Sequence, residues 1–394
     1  MPPILPADDP PARWASVPAT ARSTTSTAAV SATPQTPEGP LEGAEPAARG
    51  SVEVRLARQE DDPALEAFVE AAGGTVFQHP AWRRAVQRAF GHEPADLVAL
   101  RDGAVVGCLP MMRCRGLFGG EHLISSPYGV YGGPLAGDRE LREHLIGAAL
   151  TEARQRRVGR LELRSREPLE HPELVGSDLY VTFVKELPES ADAVLSTMKK
   201  DERRLVRRAA DTHGLSVDVG PWFVGDLVRL FHASKQRLGS PGLPLRWFHC
   251  LQQELGQSAP VHVVRRDREV VAVSMSFVDG DALRMYYIGT APEANRAYAA
   301  TSFLIAELQR WALERGLRVF DLGRSRRDAG AVKFKRNQGF APADLHYAYG
   351  LVRSRSVPRF TPSNPKTAVL RSSWSRLPGW ACTRLSSRLA RFLP

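Results

Sequence analysis

The strongest constraint on the fold is an order of predicted elements that occurs twice along the chain. In each half a helix precedes a β-hairpin, which a second helix and a further strand follow. The sequence of the predicted hairpin at residues 99–106, with its turn at Asp102-Gly103, is similar to that at 263–270. The segment where a helix ends and a strand begins, at 157–163, is similar to that at 314–320. Aspartate–glycine pairs favour tight hairpin turns. We interpret the repetition as two units of common descent; chance similarity of strand–turn–strand text is the alternative.

The predicted boundaries divide the chain into five parts. Residues 51–190 and 216–352 form two α/β units, each a mixed, mostly antiparallel sheet flanked by helices, and residues 191–215 join them through a basic linker helix. Residues 1–50 are rich in Ala, Pro, Ser and Thr, and they bury too little apolar surface to fold, so disorder is predicted. Residues 353–394 form a basic amphipathic tail.

Most of the net charge of +10 lies in the tail. Residues 351–394 contain nine basic residues and no acid, whereas residues 51–350 carry only +3. A weakly basic body argues against a general RNA-binding protein, and the tail suits an anionic surface. No apolar run approaches the roughly 18 residues of a membrane span. The four cysteines lack disulfide or metal spacing. We expect a cytoplasmic protein without a metal, attached peripherally to the inner membrane through its tail.

Six cations lie on the predicted linker helix. Helical spacing places them in two neighbouring rows, Lys200, Arg204 and Arg208 in one and Lys199, Arg203 and Arg207 in the other. Clustered guanidinium groups suit phosphate geometry, so we assign Arg204 and Arg208 to binding of an anionic substrate. A solvated linker helix is the alternative interpretation.

The chain has no P-loop, no GxSxG and no HExxH, which gives no support to nucleophilic-serine or metal-hydrolase chemistry. Acyl transfer to an amine instead needs a base and donors that stabilise an oxyanion. Asp321 ends a predicted strand and is a candidate base; a structural carboxylate paired with Arg324 is the alternative. Tyr128 and Tyr131 lie in a Gly-rich loop that lines a cleft or simply packs on its own aromatics. Tyr286 and Tyr287 face opposite sides of a strand, and we assign Tyr287 to substrate binding.

Four stretches of sequence carry a family resemblance: His79-Pro80-Ala81-Trp82, the Gly-rich 123–134, the basic 199–208, and 321–340. Together they resemble the FemAB-like proteins of the GNAT superfamily. The similarity is closest to those associated with bacterial exopolysaccharide and PEP-CTERM/exosortase gene clusters, and it extends over about residues 51–394.

The resemblance implies two GNAT-like domains that face a shared cleft. It further implies transfer of an acyl or aminoacyl group onto an amine or hydroxyl of a cell-envelope polysaccharide or lipid-linked precursor. No bound cofactor is expected; the donor is acyl-CoA or aminoacyl-tRNA, and the anionic partner is CoA, tRNA or a lipid-linked sugar phosphate. In the Fem enzymes a Phe–Lys pair lies at the catalytic cleft, and Phe334-Lys335 matches it. Lys335 then stabilises the oxyanion and nearby Arg324 binds substrate; one more solvated cation in a basic loop is the alternative for Lys335.

The same resemblance identifies a donor-binding stretch. Acetyl-CoA-using members place a Gly-rich loop at a helix N-terminus, where free N–H groups hold pyrophosphate. The corresponding residues 295–301 contain no glycine, and Asn295, Arg296 and Thr301 are the donor-binding candidates. Because a Cβ hinders close phosphate approach, acetyl-CoA is disfavoured. The alternative function is a non-catalytic binding or scaffold protein of exopolysaccharide or PEP-CTERM machinery at the inner membrane.

The end of the tail has two distinct helical faces. Leu385, Leu389, Phe392 and Leu393 share one, and Arg384, Arg388 and Arg391 share another. Basic and apolar faces together fit a helix that lies on anionic lipid. A tail packed across the second unit is the alternative.

Overall fold

The structure is a computed structural model that describes residues 51–117, 119–357 and 365–394. The disorder predicted for residues 1–50 lies outside the described residues. The helices are α1 (Asp62–Ala71), α2 (Pro80–Phe90), α3 (Arg139–Gln155), α4 (Lys200–Asp211), α5 (Val224–Arg237), α6 (Leu245–Leu255), α7 (Ala294–Tyr298), α8 (Ala300–Glu314), α9 (Gly330–Asn337), α10 (Pro365–Arg376) and α11 (Gly379–Leu389).

The strands of the first half are β1 (Val52–Leu56), β2 (Glu93–Pro94), β3 (Leu97–Arg101), β4 (Ala104–Leu109), β5 (Met112–Arg115), β6 (Glu121–Ile124), β7 (Leu135–Ala136), β8 (Arg160–Ser165), β9 (Leu174–Ser177) and β10 (Tyr180–Glu186). Those of the second half are β11 (Leu215–Val219), β12 (Val261–Arg266), β13 (Glu269–Asp279), β14 (Ala282–Thr290), β15 (Val319–Asp321), β16 (Ser325–Arg326), β17 (Pro342–Asp344) and β18 (His346–Leu351).

One long sheet forms the second unit, in the order β11-β12-β13-β14-β15-β10-β16, with β17 also paired to β10. All neighbours are antiparallel except β14 and β15, which are parallel. Successive strand residues point to opposite faces. Val263 packs with α5 and α6 on one face, and Val264 packs with α4 and α8 on the other. The sheet is therefore buried between two layers of helices.

The first unit repeats this strand order as β1-β3-β4, then β5-β6-β8-β18-β9. Its parallel pair is β6 and β8, at the position of β14 and β15. Pro110 separates β4 from β5 where the second unit has the single strand β13. Proline has no N–H to donate to a ladder, which explains the break. Strand order and direction otherwise agree between the units.

The two units exchange one strand each. β10 follows the first unit in the chain but pairs with β15, with Val184 opposite Asp321. β18 follows the second unit but lies between β8 and β9, with Ala348 opposite Leu163. The boundaries predicted from the sequence, at 190 and 352, assign β10 to the first unit and β18 to the second, whereas each strand pairs in the sheet of the opposite unit. The local sequence could not show this pairing, because the partner strands are far away in the chain.

The helix α4 belongs to the second unit, which differs from its predicted role as a linker. Val206 and Ala209 are buried in the same core as α8. The buried Glu202 accepts hydrogen bonds from Ser302 (2.9 Å) and Gln338 (2.8 Å). The opposite, basic face of α4 is exposed. One face of the helix therefore packs against the core, and the other faces solvent.

An aromatic cluster joins the units. Trp82 of α2 meets Trp247 of α6 edge to face, with ring centroids 5.2 Å apart. Phe77 meets Phe277 of β13 in the same way at 6.1 Å. Such pairs add about 0.5–1.5 kcal/mol each beyond their burial. The units therefore share one continuous core.

The tail packs across the second unit, which is the alternative that the sequence analysis gave for it. Its end then reaches the first unit. Along α11, Cys382 and Ser386 are buried, and the Ser386 hydroxyl accepts from the Gly242 N–H of the loop after α5 (3.0 Å). Tyr128 donates to the carbonyl of Ala390 (3.1 Å). No helix among the described residues is both long and apolar enough to cross a membrane.

The strand exchange predicts that a proline in β18 destabilises the sheet of the first unit. Ala348→Pro should remove a ladder hydrogen bond in the middle of the first unit's sheet, at a cost of about 1–3 kcal/mol for the acceptor left unpaired. Hydrogen–deuterium exchange should show protection lost in β8 and β9. Ala343→Pro in β17, at the edge of the other sheet, is the control and should leave β8 and β9 protected. Loss confined to the second unit after Ala348→Pro would contradict the exchange.

Candidate functional site

Each sheet opens at its parallel pair. β14 pairs with β15 only from Ala282 to Arg284, and it continues to Thr290 after β15 has ended at Asp321. In the first unit β6 is the strand that ends, at Ile124, while β8 continues to Ser165. Such openings at strand ends are common places for ligands in α/β sheets.

The Gly-rich loop of the first unit (residues 125–134) packs at the opening of the second. The Tyr286 hydroxyl donates to the carbonyl of Tyr128 (2.6 Å), and the Tyr347 hydroxyl donates to that of Val130 (2.9 Å). A Cβ on Gly132 would lie 2.2 Å from the Ser126 hydroxyl oxygen. The glycines are therefore required by close packing of the loop.

A buried cluster of charges lies beneath this loop. The Arg284 guanidinium donates to both carboxylate oxygens of Asp279 (Nε at 2.7 and 3.0 Å) and to Oδ2 of Asp321 (2.7 Å). The other oxygen of Asp321 accepts from the Tyr131 hydroxyl (3.2 Å) and the Gly323 N–H (2.6 Å). Asp321 is only 1% exposed. This setting is that of the structural carboxylate given as the alternative, except that its partner is Arg284 instead of Arg324, and a role as base stays a prediction.

The cluster links the units. The backbone N–H of Val76, in the first unit, donates to Asp279 (2.9 Å). Tyr131 shares a second hydrogen bond with the Thr182 hydroxyl of β10. Burial, with Asp321 nearby, raises the pKa of Tyr131 well above its usual value. Tyr131 therefore remains a protonated donor that ties the Gly-rich loop to the second unit.

Lys335 is fixed beside this cluster, on α9, a helix where the sequence predicted a loop. Its ammonium donates to the carbonyls of Leu322 (2.6 Å) and Gly323 (2.8 Å), and it lies 3.5 Å from that of Arg324. Burial lowers the pKa of Lys335 to about 8, against the opposing effect of Asp321. Two of its three hydrogens are held by short bonds. The third makes the longer bond to the Arg324 carbonyl, which a substrate oxygen would have to replace.

Phe334, the neighbour of Lys335, is partly buried against the core of the second unit. It therefore helps to hold α9 in place.

Cations outnumber carboxylates between the units. The Arg324 guanidinium stacks on Tyr180 (4.6 Å) and donates to the Tyr347 hydroxyl (3.1 Å). Lys235 of α5 is partly buried, and burial together with Arg324 lowers its pKa. Arg164 pairs with Glu162 (2.9 Å) and also donates to the Pro394 carbonyl (3.2 Å). Within the described part of the chain, neither Arg324 nor Lys235 forms a salt bridge. We call Lys335, Arg324, Lys235 and Arg164 the cleft cations.

Two of the tyrosines expected to bind substrate are buried. Tyr287 lies in the core, where its hydroxyl accepts from the Trp247 indole N–H (2.9 Å), a setting that does not favour the substrate-binding role expected of it. Its neighbour Tyr286 is the one that meets the Gly-rich loop. Tyr128 is also buried, and its hydroxyl lies 3.0 Å from Nε2 of His92. Burial lowers the pKa of His92 to about 4, so this ring is neutral at pH 7.

The donor-binding candidates lie on α7 (Asn295 and Arg296) and in the first turn of α8 (Thr301). Asn295 accepts hydrogen bonds from the N–H (2.9 Å) and hydroxyl (2.7 Å) of Thr301. Arg296 is 87% exposed at its side chain and pairs with Glu293 (2.8 Å). The Asn295 side chain therefore occupies the Thr301 groups that a pyrophosphate would use. Arg204 and Arg208 lie on the exposed face of α4. The helix α4 itself contacts α7.

Sequence reasoning missed Arg284, Asp279, Arg164 and Lys235. One signal was available: Arg284 stands between apolar residues in a predicted strand, and a charge at an inward position needs a buried partner. No group of His, Cys, Asp or Glu in the described residues is arranged to hold a metal ion.

Comparison with known proteins supports the fold. Residues 196–336 match the family described as acetyltransferase (GNAT) domain. The crystal structure of FemX superposes with a TM-score of 0.57 at 11% identity, covering 76% of this chain and 98% of FemX. L-PGS from Bacillus licheniformis gives a TM-score of 0.48 at 16% identity, covering 85% of this chain and 99% of that one. A tandem GNAT protein from the clavulanic acid biosynthesis pathway gives 0.45 at 12%, covering 78% and 100%. No curated protein matches the sequence significantly.

The chain is thus a mixed α/β protein of two tandem GNAT-like domains, which confirms the fold class predicted from the sequence. Its similarity to FemX, at 11% identity, establishes the fold alone.

The charge cluster predicts a large loss of stability for Arg284→Met. The change leaves Asp279 and Asp321 buried without their cation, which costs about 3–5 kcal/mol. Urea denaturation measures the free energy of unfolding. Arg318→Met, at an exposed arginine, is the matched control and should change it by less than about 0.5 kcal/mol. Equal stability of the two variants would mean that the cluster does not hold the units together.

Proposed function

We propose that this chain is a FemAB-like acyl- or aminoacyltransferase. It acts on an amine or hydroxyl of a cell-envelope polysaccharide or lipid-linked precursor, of the kind associated with exopolysaccharide and PEP-CTERM/exosortase machinery. The match of residues 196–336 to the GNAT family supports the reaction class. The sequence resemblance supports the finer assignment.

The observation that carries the proposal is the position of the Lys335 ammonium. Two backbone carbonyls hold it by short bonds at the end of β15, and the third bond, to the Arg324 carbonyl at 3.5 Å, is the long one that a substrate oxygen would replace. In the transfer, the acceptor nitrogen or oxygen bonds to the donor's carbonyl carbon, and the carbonyl oxygen becomes an oxyanion. The ester or thioester bond then breaks, and the acceptor's proton ends on the leaving oxygen or sulfur. A fixed cation beside the oxyanion lowers this barrier more than it strengthens ground-state binding.

The other cleft cations favour an anionic substrate. Arg324 presents a guanidinium without a carboxylate partner among the described residues, and Lys235 lies near enough for Arg324 to depress its pKa. Guanidinium groups bind phosphate and carboxylate through paired hydrogen bonds. A sugar phosphate attached to a lipid carrier has the required charge.

The start of α8 favours aminoacyl-tRNA over acyl-CoA as the donor. Thr301 is already capped by Asn295, and Ala299 has the positive φ (52°) that glycine adopts at less cost. The exposed Arg204 and Arg208 on α4 suit an RNA backbone. The same capped helix start also favours the second candidate, a non-catalytic binding or scaffold protein. A mass-spectrometric survey of molecules that co-purify with the native protein separates tRNA, acyl-CoA and lipid-linked sugars.

The proposal predicts unequal effects of two neighbouring lysines. Lys335→Met should lower turnover on the order of 100- to 1000-fold, as removal of one oxyanion donor typically does. Lys333→Met, at an exposed residue on the same helix, should change turnover little. A transfer assay with the co-purified donor class measures both. Circular dichroism checks that Lys335→Met keeps its fold, because two carbonyl contacts are lost with the ammonium. Equal small losses in both variants would reject the role of Lys335.

The same lysine predicts a pH dependence. Only the protonated amine stabilises an oxyanion, and its pKa is lowered to about 8 by burial. Turnover should therefore fall as pH rises through about 8. Lys335→Arg should remove that fall, since guanidinium stays charged there. A wild-type rate that stays level up to pH 10 would contradict the assignment.

A further inference from the structure

The tail is attached to the body by a face of small residues. Cys382, Ser386 and Ala390 follow one another at helical spacing, and all three are buried. Small side chains allow α11 to approach α5 closely. The apolar face expected from the sequence is only partly used, because Leu389 and Phe392 are half-buried while Leu385 remains 38% exposed.

The opposite side of the tail carries an exposed tryptophan among arginines. Trp380 is 74% exposed, and Arg384 and Arg388 follow it at intervals of four residues on α11. Leu238 of the neighbouring loop, also exposed, has its carbonyl 3.4 Å from Nε of Arg371 on α10. We call this the outer tail face.

The arginines of this face are not neutralised by the protein. In the described residues, no carboxylate forms a salt bridge with any tail arginine from Arg371 onward, and residues 351–394 contain no acid at all. Exposed arginines in a folded protein commonly find acidic neighbours, as those of α3 do here with Glu143 and Glu173. The outer tail face is thus a helical surface of uncompensated positive charge.

We propose that the outer tail face is a docking surface for an anionic lipid bilayer, with α11 lying in the plane of the membrane. The arginines meet the lipid headgroups, while the Trp380 indole and the Leu385 side chain enter the interface, which is where amphipathic aromatic rings prefer to lie. Trp380 and Leu385 favour lipid over duplex nucleic acid, which would bind the arginines but has no unstacked base to place on the Trp380 ring.

The far end of the tail gives this surface a use. Ala390 accepts a hydrogen bond from Tyr128 of the first unit, and Pro394 accepts one from Arg164, which is one of the cleft cations. A membrane bound by α11 therefore lies near the entrance to the cleft. This last step rests on the proposed function, in which a lipid-linked acceptor must reach the cleft; the docking itself does not.

Flotation of the full chain with phosphatidylcholine vesicles, with and without phosphatidylglycerol, tests the docking without any activity assay. The protein should float only with the anionic vesicles, and added salt should weaken this. Arg384→Glu/Arg388→Glu should lower the partition coefficient at least roughly 30-fold, since each basic residue near such a surface is worth about one factor of five. Arg268→Glu/Arg318→Glu makes the same change of charge at exposed residues elsewhere and should float like wild type.

Trp380→Ala should weaken flotation while leaving its salt dependence intact, because it removes the apolar part alone. Unchanged melting temperatures verify that these exposed substitutions leave the fold in place. Equal flotation of wild type and Arg384→Glu/Arg388→Glu, or equal flotation on neutral vesicles, would overturn the proposal. So would duplex RNA that binds the tail in preference to the vesicles and loses binding in the same double variant.

Discussion

The arrangement of the two units depends on one buried guanidinium. Arg284 bridges Asp279 and Asp321, and both carboxylates also accept donors from the first unit. A charge removed from water is tolerated only when it is fully paired, so this cluster admits few alternative geometries. Asp321 in turn holds the Gly323 N–H, and Gly323 holds Lys335. The candidate catalytic lysine is thus positioned through the same cluster that fixes the units.

Aromatic packing completes what the charges begin. Phe77 and Trp82 of the first unit are buried against Phe277 and Trp247 of the second, so the units are joined there by direct apolar contact. Rigid packing of this aromatic cluster keeps the neighbouring cations in place, because repulsion among them would otherwise push them apart. Specific positions of Arg324 and Lys335 follow from this packing as much as from their own contacts.

The sequence was sufficient for local features and insufficient for long-range ones. The hairpin at Asp102-Gly103 and helices such as α3 follow from local turn chemistry and periodicity, and the structure contains them. The exchanged strands β10 and β18 carry no local mark of their partners. Asp321 at a strand end looks alike whether it faces solvent or Arg284, and only the folded chain distinguishes the two. Alternation likewise shows that one of the neighbours Tyr286 and Tyr287 is in the core without showing which.

The strand exchange reverses the expected order in which the domains can be completed. Every strand of the second unit's sheet lies between Tyr180 and Asp344, whereas the first unit needs β18, which ends at Leu351. During synthesis most domains fold from the N-terminus onward. Here the ribosome releases all strands of the second sheet before it releases the last strand of the first. Until then the edges of β8 and β9 stay unpaired, and exposed edges are templates for wrong association. A nascent chain of this kind therefore has its period of greatest aggregation risk in the domain that was made first.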